Sequence, residues 1–198
     1  MSESATEATT RPRGAGSARI GPGSLFLVVG PSGAGKDTLI GCARAALADD
    51  PTYAFARRIV TRASSAWEDH ESLDPAAFAA CRARGEFALA WHAHGLDYAL
   101  PRAIDAWIAQ GLKVVCNVSR GAIGAARERY LDVRVIFIAA PPAVLAARLC
   151  RRGRDGNLAA RAARGEAGFT AGDADAIIDN GGELATAAAA FLRALNAA

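Results

Sequence analysis

The chain predicts an α/β fold, with a parallel β-sheet core flanked by helices. Three observations carry that expectation. Short apolar, β-rich runs alternate with alanine-rich helical stretches along most of the 198 residues, the order that a parallel sheet covered by helices requires. The first such run, "LFLVV", breaks into a glycine-rich turn and then a helical stretch, "GPSGAGKDTLIG". Pro141 and Pro142 stand ahead of another alanine-rich stretch, and proline is tolerated in a first helical turn because its missing N–H has no partner there.

The elements follow in order. Residues 1 to 22 are small, polar and rich in Gly, Pro and Thr, and predict a disordered N-terminal tail ahead of one domain over 23 to 198. The tail lacks the apolar centre of a secretory signal; a transit peptide is the alternative, against which Glu3 and Glu7 speak. Leu25 to Val29 form the first strand, and Asp37 to Leu47 the helix after it, ended near Asp49, Asp50 and Pro51. Arg57 to Thr61 predict a second strand, and Leu112 to Asn117 and Val133 to Ala139 two buried ones. A helix then runs through Ala143 to Arg152. Ala174 to Ile178 are a last short strand, "NGG" at 180 to 182 is a turn, and Glu183 to Leu195 close the chain as a helix.

Two regions interrupt this alternation. Residues from about 63 to 100 gather polar clusters, aromatic residues and all three histidines, and predict an inserted subdomain that faces a substrate. Residues from about 148 to 164 carry six arginines around a glycine-containing turn, and predict a lid. Composition narrows the function. No stretch reaches the roughly 18 uninterrupted apolar residues of a membrane span. A net charge of +3, with no aromatic residues interleaved among basic ones, argues against nucleic acid as a partner. The four cysteines form no C-x-x-C pair, which fits a reducing cytoplasmic compartment.

Gly30 to Lys36 match G-x-x-x-x-G-K, a strand-to-helix loop that cradles phosphates. Gly30, Pro31, Ser32, Gly33, Ala34 and Gly35, with Lys36, Asp37 and Thr38 opening the helix, would surround an anion with the backbone N–H groups that all but Pro31 carry and with the positive helix end. An ordinary glycine-rich turn is the bland alternative. Of the 23 basic residues only Lys36 and Lys113 are lysine. A chain that uses arginine nearly everywhere keeps a compact ammonium where a planar guanidinium would not thread, so Lys36 is expected on the β and γ phosphates of a nucleoside triphosphate.

Asp37 occupies the place of the usual Ser or Thr. A carboxylate there is favoured by the helix dipole by roughly 0.3–1 kcal/mol, and it is also a hard oxygen ligand suited to Mg2+. Thr38 is turned about 100° away and cannot substitute. Asn117, ending its strand without charge, leaves Asp37 to supply the carboxylate. Two anionic phosphates repel one another unless cations sit between them. Arg148 and Arg152 share a helical face at i, i+4, and Arg161 and Arg164 another at i, i+3, so these four are expected to neutralise the transferring group; a solvated arginine surface is the alternative. His92 and His94 face the same way on a strand, which suits metal binding, substrate contact or packing.

With this loop, "TR" at 61 to 62, "HGLDYAL" at 94 to 100 and the arginine lid, residues 24 to 197 resemble the guanylate kinase group of P-loop nucleoside monophosphate kinases. The resemblance places Arg62 where those kinases hold the acceptor's phosphate, and His70 and Tyr98 where they carry phosphate-contacting tyrosines. Leu89 and Asn117 stand where the group reads guanine with carboxylates. Losing such acceptors costs orders of magnitude in selectivity, which disfavours guanine. The combination "GPSGAGKD", "VTR", "EDH", "WHAHGLDY", "NVSR" and "RGR" is similar to the ribose 1,5-bisphosphate phosphokinase family of phosphonate breakdown, which also carries Asp after the loop lysine. That resemblance implies ATP and Mg2+, with a small phosphorylated sugar as acceptor. The acceptor oxygen is then already anionic, so positioning and charge neutralisation suffice without a general base. Arg58, Arg62, His70, Tyr98 and Arg120 become candidates for the sugar phosphates, Asp69 and Asp97 for hydroxyls, and Asn117 for a further substrate contact. A nucleotide or other small-metabolite kinase is the alternative within the class. A non-catalytic guanylate kinase-like binding module is the alternative outside it, against which the intact loop speaks.

Overall fold

The computed structural model describes residues 18–63, 69–93, 95–151 and 173–197. Five strands build one all-parallel sheet in the order β2, β7, β1, β8, β9: β2 (Tyr53–Ala56), β7 (Lys113–Asn117), β1 (Ile20–Val29), β8 (Tyr130–Ala139) and β9 (Ala176–Asp179). The register follows the apolar runs, with Leu25 beside Val114 and Val133, and Leu27 beside Cys116 and Val135.

Alternation along β1 explains why its run is apolar at every position. Leu25, Leu27 and Val29 enter one core, with Ile104 and Ile108 of α3 (Ala103–Ala109) and Ile123 and Ala126 of α4 (Ile123–Arg129). Phe26 and Val28 enter the other, with Leu39 and Ala43 of α1 (Lys36–Ala46) and Phe191 and Leu195 of α6 (Leu184–Asn196). A parallel sheet covered on both faces has no solvent side to relieve with polar residues. In α6 the buried stripe Ala187, Phe191, Leu195 recurs every fourth residue. Truncating the fully buried Phe191 to alanine would cost about 3–5 kcal/mol.

A second, four-stranded sheet of order β4, β3, β6, β5 stands beside the first: β4 (His70–Ser72), β3 (Arg58–Val60), β6 (Leu96–Pro101) and β5 (Phe87–Ala93). Helix α2 (Pro75–Ala83) starts on Asp74, whose carboxylate accepts the N–H groups of Ala76 and Ala77 at 2.9 Å each, and it buries Phe78 with Ile59 and Ala99. The short helix α5 (Pro142–Cys150) follows β8. Among the described residues no helix is long and apolar enough to cross a membrane.

Sequence and structure differ at three points. The first strand begins at Ile20, which pairs with Tyr130, so residues 20 to 22 belong to the sheet rather than to the tail. The strand expected over 57 to 61 is present as β3, but it lies in the second sheet, where Ile59 and Val60 pair antiparallel with Ala99 and Tyr98; the strand before it, Tyr53 to Ala56, which pairs with Lys113 to Cys116 in the main sheet, went unpredicted. The chain changes sheets at Arg57, a step that no periodicity marks. Helices α3 and α4, seven residues each, went unpredicted because two turns are too short to establish a helical period.

Candidate active site

In open α/β sheets, ligands bind beyond the carboxyl ends of the strands at the point where the order reverses. Here that point is the end of β1, between β7 and β8. The loop from Gly30 to Gly35 leaves β1 at this place. Gly30 has φ 147° and lies against β8, where a Cβ would fall 2.4 Å from the Ile138 carbonyl oxygen. Gly35 has φ 90°, and a Cβ on it would fall 2.4 Å from Asn180 Nδ2. The glycine spacing thus meets both a backbone and a packing requirement.

Gly35 is the N-cap of α1 and brings no capping side chain. The helical ladder begins with Leu39 N–H donating to Gly35 O at 3.0 Å. The N–H groups of Lys36, Asp37 and Thr38 therefore precede the ladder, at the positive end of an eleven-residue helix. Lys36 Nζ lies across the loop, donating to Gly30 O at 2.8 Å and Pro31 O at 3.0 Å. Ala34 is fully buried, while Ser32 and Thr38 are exposed. Arg148 of α5 reaches the loop, with NH1 at 3.4 Å from Ala34 O and 3.5 Å from Gly33 O. Asn180, read from sequence only as part of a turn, is buried at the end of β9 and donates through Nδ2 to Ala34 O at 2.7 Å. It anchors the loop from behind.

The other side of Asp37 opens on a cavity of about 300 Å³, lined by Asp37, Ile40, Gly41 and Arg44 of α1 together with Ala56, Arg58, Asp69 and Asn117. Asp37 Oδ1 accepts from Asn117 Nδ2 at 2.5 Å, and Arg58 lies 3.9 Å from its Oδ2. Asn117 is buried, and its Oδ1 has no hydrogen-bond partner among the described residues. An unpaired buried acceptor costs about 1–3 kcal/mol, so its persistence beside a cavity points to a donor on a ligand. Asp69 accepts from Arg44 at 2.8 Å and from Arg57 Nε at 2.6 Å. Burial raises the Asp69 carboxyl, but the hydrogen bond from Arg44 and the charges of Arg44 and Arg57 outweigh it and hold the group below its ordinary value.

The structure thus gathers four of the predicted residues, Asp37, Arg58, Asp69 and Asn117, around one cavity, and adds Arg44, which sequence reading missed. Arg62 follows β3, and Arg120 opens a single 3-10 turn after β7, both half-buried. His70 and Tyr98 are buried in the second sheet, Tyr98 stacked on Trp91 with ring centroids 5.6 Å apart. Asp97 Oδ1 pairs with His92 Nδ1 at 2.8 Å, and its backbone exchanges hydrogen bonds with Thr61. His94, Arg152, Arg161, Arg164 and most of the expected lid lie outside the described residues. Among the described residues no three His, Cys, Asp or Glu side chains form a metal cage. A single carboxylate at the loop suits Mg2+, which usually takes one or two carboxylates with substrate phosphates and water.

No protein-family model matches the chain. The ribose 1,5-bisphosphate phosphokinase PhnN of Methylobacterium radiotolerans is 56% identical over 178 residues, covering 89% of this chain and 99% of that protein. The protein of the same name from Brucella melitensis biotype 2 is 48% identical, covering 88% of this chain and 92% of its own length. Among solved structures, a guanylate kinase from Anaplasma phagocytophilum superposes with a TM-score of 0.67 at 20% identity, covering 90% of this chain and 87% of that one. At that identity the likeness concerns the fold.

Proposed function

The chain belongs to the ribose 1,5-bisphosphate phosphokinase family, and from that premise we propose that it transfers the γ-phosphoryl group of ATP to the 1-phosphate of ribose 1,5-bisphosphate. The product is 5-phosphoribosyl 1-diphosphate, in phosphonate metabolism. One observation carries the reading: Asp37 is shared between a phosphate loop on one side and a cavity lined by charged side chains on the other.

The loop N–H groups and Lys36 hold the triphosphate, with Lys36 exchanging its contacts to Gly30 O and Pro31 O for phosphate oxygens. Asp37 is the residue that would hold Mg2+, which when bound supplies positive charge between the two phosphates. Asn117 Nδ2 steers the Asp37 carboxylate, and this fixes the amide so that Oδ1 is left to accept from a sugar hydroxyl. Arg58 supplies the cavity with a largely buried cation for an acceptor phosphate. Arg62, His70, Tyr98 and Arg120 are assigned to the sugar phosphates, and Asp97 to a hydroxyl, on family resemblance. Arg148 covers the loop from α5, and Arg152, Arg161 and Arg164 are assigned with it to the transition state. The attacking oxygen is anionic, so alignment and electrostatics replace a general base. The four free cysteines fit a cytoplasmic location.

A coupled ADP-release assay with ribose 1,5-bisphosphate, GMP, dGMP and AMP tests the proposal. Turnover is expected with the sugar bisphosphate. Turnover on GMP alone would replace this reading with a nucleoside monophosphate kinase.

A further inference from the structure

Arg44 lies on the same face of α1 as Asp37. Asp37, Gly41 and Arg44 recur at i, i+4 and i+7 and all line the cavity. Gly41 contributes no side chain between the two charged residues, and a Cβ there would meet nothing within 4 Å. This strip of helix is open. Seven residues of helical rise separate Asp37 from Arg44 by about 10 Å, comparable to the span between phosphates at the two ends of a pentose.

The guanidinium is already positioned. Its NH1 bonds Asp69 at 2.8 Å, and its Cζ lies 5.7 Å from the Phe55 ring centroid. Arginine has five N–H donors, so one contact leaves others for a phosphate. Asp69 also takes Arg57, so among the described residues two cations share that one carboxylate. Prior fixing of the side chain reduces the ordering cost of gripping a ligand.

Building on the acceptor reading above, we infer that Arg44 binds the phosphate that does not react, at C5 of the sugar, and thereby selects a bisphosphate over a monophosphate. Asp69 is then the positioning partner of Arg44 rather than a hydroxyl ligand. The acceptor lies along α1, its reacting phosphate beside Asp37 and its far phosphate two turns on.

Substrate truncation tests this against Arg44→Ala and Arg44→Lys. The measurements are the KM for ribose 1,5-bisphosphate and the competitive inhibition constants of ribose 5-phosphate and ribose 1-phosphate. Arg44→Ala should raise the bisphosphate KM and the ribose 5-phosphate constant by about ten- to a hundredfold, leaving the ribose 1-phosphate constant within about twofold. Arg44→Lys should recover part of the loss, since it keeps the charge without the fork. Equal weakening of both monophosphates, or of neither, would overturn the assignment. If the wild-type protein failed to turn over ribose 1,5-bisphosphate, the functional reading itself would fall, an outcome distinct from a negative result for Arg44.

Discussion

The two sides of Asp37 are built by opposite means. On the side proposed for the donor, nine contiguous residues from Gly30 to Thr38 supply a loop that offers backbone N–H groups, one ammonium and a helix end. On the side proposed for the acceptor, Arg44 and Asp37 of α1, Arg58 of β3, Asp69 ahead of β4 and Asn117 of β7 converge from separate elements, and their side chains line the cavity. A backbone-built site tolerates many side chains but no misplaced Cβ. A site built of side chains can be retuned one residue at a time, which suits the half of the reaction that must choose its substrate.

Perturbing each side should produce a different signature. The largest effect is expected from Lys36→Ala, which should lower kcat about 10²–10³-fold with acceptor binding retained, read by single-turnover transfer and acceptor calorimetry. An equal loss of acceptor binding would show that the two sides are not separable.

Asp105 offers a contrast away from both. It accepts from Arg129 Nε at 3.0 Å and from Tyr130 Oη–H at 2.7 Å, and Arg102 lies 3.1 Å away. Burial raises its carboxyl, yet the hydrogen bonds from Arg129 and Tyr130 hold it below the ordinary value, while burial pushes the Tyr130 hydroxyl up. Asp105→Ala should cost about 2–3 kcal/mol in urea unfolding and leave kcat and both KM values unchanged.

Gly35→Ala should act on the donor side alone. A non-glycine residue at φ 90° costs about 1–2 kcal/mol, and the clash with Asn180 Nδ2 adds to it. The KM for ATP should rise with no change in acceptor inhibition constants. Asn117→Leu should do the reverse, removing the hydroxyl acceptor and the Asp37 contact and raising the acceptor KM about tenfold.

The smallest effect concerns acid. The folded Asp69 carboxyl lies below its unfolded value, so its contribution to stability is complete above the unfolded value, about pH 4, and is lost as pH falls through the folded one. With the side chain 39% exposed the contribution is under about 1 kcal/mol. Asp69→Asn should flatten the acid limb of the stability profile by that amount; an unchanged limb would mean the two arginines hold nothing that folding uses.

Local order alone determined the loop from Gly30 to Thr38. Strand, glycine spacing, lysine and helix are consecutive, and each follows from short-range sterics or periodicity, so the strand, loop and helix were legible from the sequence. The buried runs of β1, β7 and β8 and the helices α1, α5 and α6 were legible for the same reason, whereas β2 and the seven-residue α3 and α4 were not. Tertiary structure alone decided that the chain changes sheets at Arg57, that Asn180 braces the loop, and that Asp69 is held by Arg44 and Arg57 while Asp97 is held by His92. An exposed arginine on a helix carries no sequence mark of the cavity it borders. Its meaning comes from residues 25 and 73 positions away, Asp69 and Asn117, and only the packing of two sheets brings such distant groups within reach of one ligand.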